Sequence, residues 1–585
     1  MSRTVAVVSL ALALGLSAGA VPEARQEALG RIEFPTSQTG AAQDAFTRGV
    51  LLLHSFEYDD AKEAFLQAQQ AAPDFALAYW GEAMTYNHPL WGQTALDPAR
   101  EALGRLAPTR EARLAKAAND KERDWLRGVE ALYGEGDKLA RDLAYAAQMR
   151  RMFERYPDDL EVKAFYALAL LGTSHGGRDV AIYMRAAAVA EDVARANPQH
   201  PGAVHYLIHA YDDPAHAPLG LRYAEAYARI APSASHALHM PSHIYFALGM
   251  WDKASELNER SARAADERVA RKGLGIDERG FHALLWLTYS YLQQGRQQEA
   301  RGVLDQIEKA AAESGSVRTR SHLALARAAW VVETRRWADA KPAGVTPDGL
   351  GAGATAADLF AIGMAAIRSG NRVAGADALQ RMALLAGDGD RPVRSVTTAK
   401  PTPAPRPGVS RPGVTPIPTP RPSLPTPAEL MAAQTAQPQM GLPAAGTGND
   451  KRVAAIMAQQ LEAVLIFAEG RRDEGLVLAR QAAAVEQDLS FEFGPPLPVK
   501  PANELVGDLL MDVRRPGEAV AAYEASLARN PGRALSLLGL YRAANASRQP
   551  QKAQQAAAEL RRVWARADKT LPELREILAT PPSSY

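Results

Sequence analysis

The 585-residue chain contains no cysteine. That excludes disulfides, thiolate metal sites, a cysteine nucleophile and a lipid-modified cysteine, so stability has to come from burial. A dominant charge is missing too. Lys and Arg number 67 and Asp and Glu 66, mixed along the chain, for a formal net charge of +1. That balance argues against a nucleic-acid or polyanion partner. The chain has no Gly-rich phosphate loop, no G-x-S-x-G and no H-E-x-x-H. It therefore offers no nucleotide site and neither of those hydrolase signatures. Beyond residues 1–20, MSRTVAVVSLALALGLSAGA, no apolar run approaches a membrane span. Within that stretch Arg3, the apolar run from Val5 to Leu16 and the small residues Ala18-Gly19-Ala20 describe a secretory signal peptide. The run is short for a membrane anchor. The sequence therefore predicts an exported protein, periplasmic given its Ala/Arg-rich composition, with no membrane contact once residues 1–20 are removed.

What the chain has in quantity is helical repetition. In residues 42–75 small side chains sit at Gly49, Ala61 and Ala68, large ones at Tyr58 and Phe65, and Pro73 closes the unit. A 34-residue unit with small residues where two helices touch and a proline at its exit resembles a tetratricopeptide repeat. The spacing recurs in 160–198, in 201–234 (Gly220, Pro232) and in 235–268 (Gly249, Trp251, Ala254). It returns in 281–314 (Gly295, Ala300) and in 501–534 (Gly507, Ala519, Tyr523, Pro531). Looser helical stretches lie at 76–91, 110–133, 137–157, 321–340, 356–387 and 451–488, and a pair at 535–567 would cap the array. The expected fold class is all-α, a solenoid of antiparallel helix pairs. Residues 391–449 are dense in proline and threonine and poor in large apolar side chains, which predicts a disordered insertion. The expected organisation is a signal peptide at 1–20, an N-terminal extension at 21–41, a solenoid at 42–390 with its histidine-rich core at 200–251, the insertion, and C-terminal repeats with a cap at 450–585.

Six stretches carry a closer resemblance: FPTS at 34–37, GVLLLHSFEYDDAKEAF, AYWGEAMTYNHPLW, HYLIHAYDDPAHA, IAPSASHALHMPSH and GPPLPVKPANELVGDLL. Together they are similar to a group of exported bacterial tetratricopeptide-repeat proteins, largely described as being of unknown function. The likeness covers most of residues 34–540 outside the insertion. It implies the repeat fold and repeat-mediated binding, and no catalytic activity.

Seven of the twelve histidines crowd into residues 200–251, at 200, 205, 209, 216, 236, 239 and 243, with Asp212 and Asp213 among them. His205 and His209 are four apart, as are His239 and His243, which puts each pair on one helix face. In tetratricopeptide repeats the first helix of a unit lines a concave groove, mainly with places 2, 5, 9, 12 and 13. With each register set on glycines, alanines and prolines, His54 and His88 fall at place 13. His205, His209, Asp212 and Asp213 fall at 5, 9, 12 and 13, and His236, His239 and His243 at 2, 5 and 9 of the next unit. His282 and His322 fall at place 2 of later units. Nine of twelve histidines thus sit at groove places, where about two would fall by chance.

We expect His205, His209, His239 and His243 to converge on a metal, with His236 and His216 as further ligands. Asp212 or Asp213 would be a ligand, an acceptor orienting an imidazole, or a turn residue before Pro214. His54, His88, His282 and His322 are groove-lining candidates. Pro241 should break the second histidine helix, so that the regular helix starts near Met240 with His236 and His239 on the segment entering it. His200 is expected in a solvated turn, and His175 at a helix end where a cationic ring suits the dipole. Glu82, beside Trp80, is either a buried acid–base group of raised pKa or a carboxylate hydrogen-bonded to a neighbouring helix.

Three functions fit these residues. The first is a metal-binding solenoid for copper or zinc, with iron after them, for which metalloenzyme activity is one alternative and binding the safer role. The second is a metal store or carrier without turnover. The third is a metal-free scaffold whose groove takes a peptide or a partner protein. The residues name no reaction. Export is checked first: the intact mass of secreted protein should place the mature N-terminus at Val21. A membrane-embedded chain that keeps residues 1–20 is the opposing outcome.

Overall fold

The computed structural model describes residues 28–340, 349–387, 448–491 and 493–579. The signal peptide expected at 1–20 and nearly all of the disordered insertion expected at 391–449 lie outside the described residues. Among the described residues the chain is helical throughout, apart from a two-residue ladder pairing Asn87–His88 with Gln93–Thr94. It is an α-solenoid of antiparallel helix pairs. Gly40–His54 packs with Tyr58–Ala71, Leu160–Leu171 with Val180–Ala196, and Pro201–Tyr211 with Ala217–Ile230. Phe281–Gln293 packs with Gln297–Ser314, and Ala502–Asp512 with Pro516–Arg529.

Small residues let consecutive pairs interlock. The Phe65 ring is wedged between Gly49 of its own unit and Gly81 of the next. A Cβ at those glycines would fall 2.7 and 2.3 Å from the ring edge. The wedge recurs near the C-terminus, where Tyr523 stands 2.7 Å from a Cβ built at Gly507 and 2.3 Å from one at Gly539. Both wedges span the same sequence interval, which is why the periodicity of small residues could be read as repeats.

Two stretches depart from the expected helices. The charged stretch at 110–133 is two helices, Arg110–Ala115 and Asp120–Leu132, the second capped by the Asn119 side chain accepting from the Glu122 N–H. The helix begun at Ala76 ends at Met84, so His88 lies on the short ladder and not at a helical groove place.

The solenoid coils tightly enough to touch itself. The segment from Ala28 runs extended to the first helix, donating from the Arg31 N–H to the Gln199 carbonyl at 3.0 Å and burying Leu29 and Phe34. Gly202 backs onto the His54 ring, leaving 2.3 Å for a Cβ. Farther along, the Trp251 indole donates to the Gly532 carbonyl at 2.8 Å and the Trp564 indole to that of Gln293 at 3.2 Å. Buried Arg533 ties Glu504 at 2.6 Å to Glu333 at 2.7 Å and binds the Tyr289 hydroxyl. The C-terminal repeats therefore close over the middle ones and enclose the histidine-rich helices.

Truncating the wedge tests this packing. Phe65→Ala should cost about 3–5 kcal/mol by urea denaturation followed through helical circular dichroism. Gly81→Ala should also destabilise, because its methyl meets a ring held on both sides. Unchanged midpoints for both would refute the interlock.

Candidate metal centre

Helix Pro201–Tyr211 opens with proline, whose missing N–H costs nothing in a first turn. His200 caps it, its Nδ1 accepting from the Ala203 N–H at 3.2 Å. One turn apart on the inward face come His205 and His209. The next pair begins with a broken helix: Ser235–His239, then Pro241–Ala247, because Pro241 has no N–H to continue the ladder. His236 and His239 lie on the first piece and His243 on the second. The break does not part them, since His239 Nε2 is 3.2 Å from His243 Nε2. His282, in the first turn of Phe281–Gln293, joins from a third unit.

These six rings form two triads. In His205, His209 and His236 one ring nitrogen of each lies within 4.8 Å of the others, and the same holds for His239, His243 and His282. Ring centroids 5.1 Å apart for His209 and His243, and 5.9 Å for His236 and His239, join the triads into one cluster. Nitrogens bound tetrahedrally at about 2.0–2.1 Å stand roughly 3.3 Å apart, so small side-chain rotations suffice to close each triad on an ion.

Hydrogen bonds set the tautomers. His205 Nδ1–H donates to the His54 carbonyl at 2.7 Å, which leaves a lone pair on Nε2. His239 Nδ1–H donates to Asn258 Oδ1 at 2.7 Å, and the Asn258 amide nitrogen is held by the Ala254 carbonyl at 2.8 Å. His243 Nδ1–H donates to Asp212 at 2.9 Å. His239 and His243 then aim both Nε2 atoms at each other, and a cation has to stand between them, either a proton on one ring or a metal. Nε2 of His205, His209 and His236 and Nδ1 of His282 are buried without a hydrogen-bond partner.

Burial, reinforced by the neighbouring rings, pushes His205, His236, His239 and His282 well below the usual imidazole range. Burial takes His209 down to about 4, although Asp212 pulls the other way. These five rings are neutral at pH 7, the form that binds metal. Burial alone would raise the Asp212 carboxyl. Arg178 at 2.6 Å and hydrogen bonds from His209 and His243 hold it well below the carboxylate range. Asp212 is thus a charged acceptor behind two of the imidazoles.

Aromatic rings wall the cluster. Trp286 stacks on His243 at 4.6 Å and meets His239 edge-on at 4.7 Å, and Phe56 lies 4.3 Å from His205. Phe493 covers His243 at 4.6 Å and His209 at 5.7 Å. It belongs to the non-helical stretch FEFGPPLPVKP between helices Arg472–Gln487 and Ala502–Asp512. Arg529 holds the loop at the Leu489 carbonyl and Gln460 at the Lys500 carbonyl, and Glu486 accepts from the Ala502 N–H at 2.6 Å. The open concave groove expected around His205, His209, His239 and His243 is therefore closed, and these rings are at most 2 % exposed.

The other candidates separate cleanly. His54 donates from Nε2 to Glu161 at 2.8 Å and accepts from the Tyr206 hydroxyl through Nδ1 at 2.8 Å. His200 places Nε2 3.0 Å from the second Glu161 oxygen and is fully buried, contrary to the solvated turn expected. Burial opposes the Glu161 charge, but His200 and His54 hold it at about 2. The two rings are bridged by the Glu161 carboxylate, and the three side chains also lie close enough together to hold an ion. His216 binds Asp213 at 2.7 Å, Asp213 also holds Arg178, and neither belongs to a triad, against the expectation for His216 as a ligand. His88 stacks on Tyr58 at 3.9 Å, and His322 donates to the Arg318 carbonyl at 2.8 Å outside both triads. His175 pairs with Asp142 at 2.6 Å. Glu82 is held by Arg105 and Gln69 between helices, which matches its hydrogen-bonded alternative. Conversely His282, read as lining, joins a triad. Arg178, Asn258, Trp286 and Phe493 carried no local signal, because each is brought in by a different unit.

Glu486, which anchors the covering loop, gives a pH test. Burial pushes its carboxyl up to about 7, against the hydrogen bond from Ala502. A folded value above the ordinary 4.5 means that its stability contribution is full below 4.5 and is lost as pH rises through 7. Glu486→Gln keeps a carbonyl acceptor, so at pH 8 it should exceed the native chain by at most about 3 kcal/mol in urea, the gap closing by about pH 4.5. A gap independent of pH would refute this.

No family model matches the chain, and no curated protein matches it. Among solved structures it is similar to the Cut9-Hcn1 hetero-tetramer of APC/C (10% identity, TM-score 0.33, covering 92% of this chain and 76% of that one). It is also similar to yeast Tom70 (10% identity, TM-score 0.30, 92% of each chain). A third is a Rap protein complexed with Competence and Sporulation Factor (14% identity, TM-score 0.32, 60% of this chain and 92% of that one). At these scores the likeness says nothing of function.

Proposed function

We propose that this chain is a transition-metal protein holding two ions, one in the triad His205, His209 and His236, the other in His239, His243 and His282. The observation that carries the reading is the set of buried imidazole nitrogens that face one another with no protein partner. Buried polar groups left unpaired are costly and uncommon, and metal ions satisfy these. Imidazole ligands without thiolates suit copper and zinc, then iron. The His54 carbonyl, Asn258 and Asp212 hold three of the rings in the ligating tautomer, the usual support behind metal-bound histidine. Three protein ligands per ion leave a coordination position open, as in catalytic rather than closed structural sites. The reading therefore favours a metalloprotein that works on a bound molecule over a passive store. Export through residues 1–20 belongs to the same proposal. A helix-pair array also offers surface to a protein partner. The histidine face is enclosed by Phe493 and Trp286, which disfavours an extended peptide lying across it.

The double variant His209→Ala, His243→Ala removes one ligand from each triad. Elemental analysis of the native chain, from its own host or after exposure to copper or zinc, should give two ions per chain. The variant should lose tight binding with its helical circular dichroism unchanged. A native chain that takes up no metal, or a variant that binds as much, overturns the proposal.

A further inference from the structure

A cavity of about 340 Å³ opens against the cluster. Its wall includes His236 of the first triad and His239 and His282 of the second, so one ligand in it reaches both ion positions. The volume is at the small end of the range for small-molecule sites, roughly 300–1,000 Å³.

Two independent observations say what kind of molecule it takes. The first is charge. The cavity wall carries four carboxylates, Glu57, Asp59, Asp277 and Glu278, and four cationic side chains, two of which are held by Asp60 and Asp266 behind the wall. Inside, the His205, His209, His236, His239 and His282 rings are neutral, and the Asp212 and Asp213 carboxylates share the one Arg178. Two divalent ions there would still carry more positive charge than these carboxylates offset, in a site walled by aromatic rings, and buried charge requires a partner. An anionic ligand supplies it.

The second is the pattern of unmet hydrogen-bonding groups. Of the four cations, Arg268 is engaged by Asp60 at 2.9 Å, Arg279 by Asp266 at 2.7 Å, and Lys62 lies 4.0 Å from Asp59. Arg318 makes no side-chain hydrogen bond or ion pair among the described residues, and its Nε is buried. The Asp277 carboxylate, its neighbour on the wall, accepts from the Ser316 hydroxyl at 2.7 Å, and Glu57 from the His236 N–H at 2.9 Å. The Tyr58 hydroxyl and His88 Nδ1, on the same wall, are also buried and unpartnered. A guanidinium and a phenol hydroxyl with nothing to donate to are the recognition groups of an oxyanion.

We propose that this cavity binds a small organic oxyanion, its carboxylate or phosphate oxygens held by Arg318 and Tyr58 and drawn toward the ions at His236, His239 and His282. This rests on the two-ion reading. Arg318 is its positioning residue; it touches no metal ligand set.

The test uses the full chain loaded with zinc, which is redox-silent, with elemental analysis of every sample before titration. Benzoate and inorganic phosphate are titrated separately by calorimetry, which tells a carboxylate site from a phosphate one. The loaded native chain should bind at least one of them, and at least tenfold more tightly than the metal-free chain. Arg318→Met should weaken that binding at least tenfold at equal zinc content and equal helical circular dichroism, and Arg318→Lys should recover part of it. If the zinc-loaded chain binds neither probe, or Arg318→Met binds as the native chain does, the oxyanion site is wrong and the metal reading stands. If elemental analysis finds no zinc in the native chain, the metal reading itself has failed and the oxyanion proposal falls with it.

Discussion

Six imidazoles taken out of water with ligating nitrogens turned toward one another are the constraint that the rest of the molecule answers to. A buried acceptor without a donor costs on the order of 1–3 kcal/mol. The cluster concentrates several of them, beside the His239 and His243 Nε2 atoms set 3.2 Å apart. Nothing in helix packing requires this. The helices of the array hold together through Gly49, Phe65 and Gly81, and through Gly507, Tyr523 and Gly539, at places the histidines do not occupy. The arrangement is tolerable only if something positive sits inside it. This is the sense in which the local instability is informative about function.

The scaffold contributes rigidity and enclosure. Each triad draws on more than one element, so its geometry is set by how the coil closes and not by any single helix. His205 is fixed by the carbonyl of His54, from a unit about 150 residues earlier, and His239 by Asn258 on the partner helix of its own pair. Phe493 arrives from the far side of the proline-rich insertion and completes the wall. The same closure that hides most of the cluster leaves an open cavity against His236, His239 and His282. A chain without cysteine builds all of this from burial and ion pairing, with Arg533 between Glu504 and Glu333 as its most enclosed example.

Charge is arranged in layers. Arg178 holds Asp212 and Asp213, and Asp212 in turn holds His243 and approaches His209. The innermost layer is the imidazole cluster, five of whose rings are kept neutral by burial. The histidines outside the triads fit the same logic. His54 and His200 each turn one ring nitrogen to Glu161, and His216 turns one to Asp213.

By itself the sequence determined the repeat architecture, because the interval between small and aromatic residues is a local property of helix packing that survives without coordinates. It also determined that His205 and His209 share a face and that Pro241 interrupts the helix carrying His236 and His239, since both follow from helical periodicity and the missing amide. Which histidines meet was decided only in three dimensions. His282 joined, His216 and Asp213 turned to each other, and His88 left the helical register for a short ladder. The closed state of the groove was equally illegible, because Phe493 reaches the cluster from the far side of the insertion and Trp286 from the unit that brings His282. The physical reason is that repeat spacing fixes only nearest-neighbour contacts, whereas the superhelical turn, summed over many small rotations between pairs, decides which remote segments come within reach of one ion.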